Sequence, residues 1–84
     1  MIETPVVIGK DKDFDARPMA LLVNEASRYE SKVYIKIGNK TINAKSIMGM
    51  MSLTLAPGDE FTVLTEGADE EKAAEGIKNF LASF

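Results

Sequence analysis

Apolar residues in this chain recur at one period and then at another, and the switch between the two excludes most architectures. Val33, Ile35 and Ile37 alternate with Lys32, Tyr34 and Lys36, the period-two pattern of a half-buried strand. Upstream, Ala16, Met19, Ala20, Val23 and Ala26-Ser27 recur at three- and four-residue steps, which is the stripe of an amphipathic helix. An all-helical bundle has no place for the first pattern, and an all-strand sandwich has none for the second. Gly38-Asn39 supplies a two-residue hairpin signal, with Lys40 to Asn43 returning as a short strand.

The remaining segments fit the same scheme. Glu3 to Ile8 has strand composition, and Pro5 within it favours a sheet edge or a strand start, because proline cannot donate to a ladder. Gly9 to Asp13 is polar and reads as a loop. Ser46 to Leu53 reads as a short apolar helix with Met50 and Leu53 as core members, and Pro57-Gly58-Asp59 marks a turn. Glu60 to Thr65 is a strand with Phe61 and Val63 on one side. Asp69 then caps a last helix whose apolar face is Ala73, Ile77, Phe80 or Leu81, and Phe84. The expected order is β-α-β-β-α-β-α, an α+β fold with helices on one sheet face and solvent on the other.

Eighty-four residues without a cysteine make one small domain, 1–84, held by packing alone. A net charge of −3 with scattered Lys and Arg, and no tryptophan, argues against direct nucleic-acid binding. With neither His nor Cys, metal ligation would fall to carboxylates, and Asp69-Glu70-Glu71 lacks calcium-loop spacing. No metal or cofactor is expected. No apolar run approaches the roughly 20 residues of a membrane span, and no basic-then-apolar leader opens the chain. A cytoplasmic protein without a membrane association is the expectation. No nucleophile–base pair is readable, so an enzyme is not expected.

Two short segments carry chemistry. Asp15-Ala16-Arg17-Pro18 opens the first helix in a chain that has no histidine. Asp15 suits an N-cap, and Pro18 costs little in a first turn whose N–H groups have no intrahelical partner. Arg17 suits bidentate recognition of a phosphate or carboxylate, the alternative being a surface pair with Asp13 or Asp15. The second segment is Asn43-Ala44-Lys45-Ser46-Ile47-Met48-Gly49-Met50-Met51-Ser52-Leu53. Ser46 is a candidate N-cap, and a phosphate there would change surface charge by nearly two units while leaving the fold alone. A helix so short cannot bury Ile47, Met48, Met50 and Met51 together. Ile47, Met48 and Met51 are therefore expected outward as an adaptable apolar patch, core packing being the alternative.

Together, Ala16-Arg17-Pro18, the Gly38 hairpin, the Ser46 segment and Glu66-Gly67 before the last helix resemble the HPr phosphocarrier family of the bacterial phosphotransferase system. Within it they are most similar to the Gram-positive HPr/Crh group of catabolite repression. The resemblance implies an open-faced β-sandwich: a four-stranded antiparallel sheet ordered 1-4-2-3, covered on one face by three helices. It implies that Asp15 occupies the position of the phosphoacceptor histidine, where Crh proteins typically carry glutamine. It also implies phosphorylation of Ser46 by HPr kinase/phosphorylase, with Arg17, Ile47, Met48 and Met51 docking on partners. Expected partners are that kinase, a LacI-type catabolite control repressor, and enzyme I or other phosphotransferase system proteins, with DNA contacted only through the repressor. A regulatory phosphoprotein without histidine phosphotransfer is the leading expectation. The alternative is a carrier that accepts a phosphoryl group on Asp15 from enzyme I, and a third reading makes Asp15 a permanent partial mimic of a charged acceptor.

Overall fold

The computed structural model describes residues 1–9, 16–52 and 58–83. Its elements run β1 (Ile2–Val7), α1 (Ala16–Ala26), β2 (Lys32–Ile37), β3 (Lys40–Asn43), α2 (Ile47–Met51), β4 (Glu60–Glu66) and α3 (Glu70–Ser83). The strands form one antiparallel sheet in the order β1-β4-β2-β3. This is the order the resemblance implies. β1 lies at an edge, where a proline is tolerated, and Pro5 sits opposite Thr62.

Alternation decides which side of the sheet is covered. Val33, Ile35, Phe61, Val63 and Thr65 face inward and are buried, and register places Val33 beside Thr65 and Ile35 beside Val63. From the helices come Met19, Leu22, Val23 and Ala26 of α1, Met50 of α2, and Ala73, Ala74, Ile77 and Leu81 of α3. Apart from Thr65 and Ala74, these residues form one apolar cluster with Ile8 and Ala44 between the sheet and the helical layer. Phe80, offered as the alternative to Leu81, is only partly buried. The Gly38 turn takes φ +57 at its first central residue alone, the arrangement of a II′ hairpin that matches strand twist.

Three details differ from the sequence expectation. Leu22, adjacent to the expected stripe of α1, is fully buried while Ser27 at the stripe's end is exposed. The helix turns 3.6 residues per cycle, so 19, 22, 23 and 26 share a face, and the Ser27 hydroxyl donates to the Val23 carbonyl instead (2.8 Å). Asp69 precedes α3 and its carbonyl accepts from Ala73 N–H (2.9 Å), yet its carboxylate does not cap that helix. The carboxylate accepts from the backbone N–H of Glu30 (3.0 Å) and of Ser31 (2.9 Å), and from the Ser31 hydroxyl. It joins the turn after α1 to the start of α3, and these donors, the Ser31 hydroxyl foremost, hold its pKa below the usual carboxylate range. The α2 segment is also shorter than expected, with Ser46 and Ser52 as its caps. Leu53 and Phe84, both expected in the core, lie outside the described residues.

Candidate functional site

The segment from Asn43 to Ser52 is built by backbone and side-chain bonds that present Ser46 at the start of α2. Ala44 N–H donates to the Val33 carbonyl (2.8 Å), which continues the β3 pairing by one residue. The Asn43 side chain then accepts from Lys45 N–H (2.9 Å), and its carbonyl accepts from Ser46 N–H (3.0 Å). This local turn redirects the chain from strand to helix. Ser46 adopts extended backbone at φ −98, ψ 110, and its hydroxyl oxygen accepts from Gly49 N–H (3.2 Å) while its carbonyl accepts from Met50 N–H (2.9 Å). It is an N-cap in backbone and side chain alike.

Lys45 is half-buried. Its ammonium donates to the carbonyl of Tyr29 (2.6 Å), tying the approach to α2 to the segment that follows α1. Tyr29 is fixed in turn: its hydroxyl donates to the Glu25 carboxylate (3.0 Å), and burial, followed by that bond, pushes its pKa up. Gly49 lies where α2 comes closest to β3. A Cβ there would stand 3.2 Å from a methyl carbon of Ile42 and 3.4 Å from the Ser46 hydroxyl oxygen, so glycine permits the close approach.

One side chain of α2 is committed to the core. Met50 is fully buried, whereas Ile47, Met48 and Met51 are 45%, 83% and 53% exposed. Three large apolar side chains therefore stand in solvent within five residues of Ser46, which is itself partly exposed. Arg17 is an exposed residue in the first turn of α1, the helix against which α2 packs. Asp15 lies outside the described residues. Leu21 on α1, 46% exposed, adds an apolar side chain that the sequence reading did not single out. Positions 19, 22, 23 and 26 fill the buried face of α1, which leaves Leu21 outside it.

Among the described residues no group of three or more His, Cys, Asp or Glu side chains converges on a point where a metal ion could sit. None of the helices, over the described residues, is long and apolar enough to cross a membrane.

A family model described as the PTS HPr component phosphorylation site matches residues 2–83. The HPr-like protein Crh of Halalkalibacterium halodurans is 43% identical over 81 residues, 96% of either chain. Among solved structures, HPr from Thermoanaerobacter tengcongensis superposes with a TM-score of 0.91 at 38% identity, covering 99% of this chain and 93% of that one. The phosphocarrier protein HPr of Bacillus anthracis gives a TM-score of 0.86 at 40% identity, with 94% of each chain covered. Sequence, strand order and helical layer agree, and this chain belongs to the HPr family.

Proposed function

We infer that this chain is an HPr/Crh-like regulatory protein, phosphorylated on Ser46 by HPr kinase/phosphorylase and docking on partners through Arg17, Ile47, Met48 and Met51. One juxtaposition carries the reading. A partly exposed serine hydroxyl adjoins three solvent-exposed apolar side chains in a chain that contains no histidine to carry a phosphoryl group. Exposed apolar patches of this kind mark contact surfaces, and methionine adapts to partners of different shape. Phosphorylation of Ser46 would add nearly two negative charges beside that patch. It would change which surface a partner meets while Met50 keeps α2 anchored.

The protein acts in this reading as a single cytoplasmic domain over residues 1–84, and does no catalysis itself. Its second partner is a LacI-type catabolite control repressor, through which any effect on DNA is exerted. Asp15 occupies the position of the family's phosphoacceptor histidine and does not receive a phosphoryl group from enzyme I.

Titration of HPr kinase/phosphorylase with the protein tests the docking surface. Met48→Ala and Met51→Ala should each weaken binding by about 1–2 kcal/mol, the range of a moderate interface anchor. Affinities equal to that of the parent protein for both variants would overturn the assignment of the patch.

A further inference from the structure

The docking patch also carries two of the three exposed methionines of the chain. The sequence has five methionines and neither cysteine nor tryptophan, so thioethers are its most readily oxidised side chains. Their exposures differ sharply. Met19 and Met50 are 4% and 0% exposed, while Met48 is 83% and Met51 53% exposed, with Met1 at 64% near the opposite, α3 side of the sheet edge. Met48, Met50 and Met51 lie within four consecutive positions, so oxidisable and protected sulfur alternate along a single helical turn.

The geometry points to Met48, with Met51 as its neighbour, as a reversible oxidation site that switches the α2 docking surface off. The inference rests on the docking role proposed above. Hydrogen peroxide or another hydroperoxide supplies the oxygen. A sulfur lone pair attacks one peroxide oxygen, an S–O bond forms as the O–O bond breaks, and sulfur gives up two electrons. The proton of the transferred hydroxyl passes to the departing oxygen, which leaves as water from hydrogen peroxide or as an alcohol from an organic hydroperoxide. The product sulfoxide is polar and carries a strong acceptor that a partner's apolar surface cannot satisfy. Reversal needs two thiols, which furnish two electrons, form a disulfide and release the oxygen as water.

Burial makes the switch local. Met50 holds α2 to the core and is shielded, and the cap between Ser46 and Gly49 involves neither oxidised side chain. The surface therefore changes polarity while the fold that presents it is retained. Ser46 and Met48 are two residues apart, so a phosphate and a sulfoxide would act on the same contact by different chemistry, one by charge and one by loss of apolar complementarity.

The test is graded peroxide treatment of the full chain, with peptide mapping of each methionine and titration of HPr kinase/phosphorylase before and after. One oxygen should appear on Met48 ahead of Met51, at rates close to that of free methionine, with the exposed Met1 also oxidised and Met19 and Met50 unmodified while far-UV circular dichroism is unchanged. Affinity for the kinase should fall about tenfold or more, and methionine sulfoxide reductase should restore it. In the Met48→Leu/Met51→Leu double variant, affinity should be the same before and after peroxide, whatever its starting value. Oxidation of Met19 or Met50 ahead of Met48, or Met48 sulfoxide formed without loss of affinity, would overturn the proposal. Absence of binding by the untreated protein would instead refute the docking role on which the switch depends, and the order of oxidation would still decide the site.

Discussion

Ser46 caps α2 and in the proposed function also accepts the phosphate, and substituting it distinguishes the two. Ser46→Ala removes the acceptor of the Gly49 N–H bond, which at 3.2 Å is at the long end of the usual range. Loss of a serine cap typically costs about 1 kcal/mol. Here the residue is partly exposed, so water can reach the freed N–H, and α2 retains the anchor of a fully buried Met50. The expected loss is accordingly about 0.5–1 kcal/mol. For a domain of this size that is a fall in Tm of about 2–8 °C. Ser46→Asn supplies an equally good cap oxygen but no hydroxyl to phosphorylate, and should stay within about 0.3 kcal/mol of the parent protein. Thermal unfolding followed by far-UV circular dichroism, with urea titration for the free energy, measures both. An unchanged Tm for Ser46→Ala would show that the hydroxyl does not cap. Ser46→Asn falling as far as Ser46→Ala would show that something other than the cap oxygen is lost.

Three further substitutions probe the scaffold around the site. Gly76→Ala should gain about 1 kcal/mol in helix propensity but place a Cβ against the Tyr29 hydroxyl and 2.8 Å from its ring carbon Cζ. Overpacking of about 1–3 kcal/mol should win, lowering Tm, and the sign should reverse in a Tyr29→Ala background; a higher Tm for Gly76→Ala alone would refute the packing argument. Met50→Ala should cost about 2–5 kcal/mol in urea unfolding, against about 0.5 kcal/mol or less for Met48→Ala, and equal losses would contradict the burial difference. Asp69 has a lowered folded-state pKa, through the Ser31 hydroxyl first and backbone N–H groups next. Its contribution is therefore complete above the unfolded aspartate value of about 3.9 and disappears as pH falls through the lower folded value. Stability measured from about pH 5 down to about pH 3 should fall less steeply in Asp69→Asn, and an unchanged slope would remove Asp69 from the account.

Period carried much of the fold because it reports which side chains need cover. The alternation of Val33, Ile35 and Ile37 and the stripe through Met19 and Val23 placed strand and helix correctly, since each lies on an element with one buried face. The strand order β1-β4-β2-β3 is not a property of any local pattern and came only from the family resemblance. Asp69 shows where local rules stop. An aspartate before a helix suits a cap, but three donors at Glu30 and Ser31 outbid the helix N–H groups, and they lie up to 39 residues away in sequence. Exposure of Ile47, Met48 and Met51 was legible because a short helix expected over Ser46 to Leu53 could not bury Ile47, Met48, Met50 and Met51 together. Leu21 was not, because nothing in an isolated Leu-Leu pair says which leucine the sheet will take. Residue chemistry offered Asp15 only as a helix cap, and its reading as the site of a lost phosphoacceptor came from position in a family pattern.

The central claim is that the chain receives a phosphoryl group on Ser46 and on no other carrier atom. Two parallel reactions read by intact mass test it most directly, one with ATP and HPr kinase/phosphorylase, the other with phosphoenolpyruvate and enzyme I. A single added phosphate is expected in the first reaction, abolished by both Ser46→Ala and Ser46→Asn, and none in the second. A hydroxylamine-labile phosphate in the second reaction, or none in the first, would contradict it.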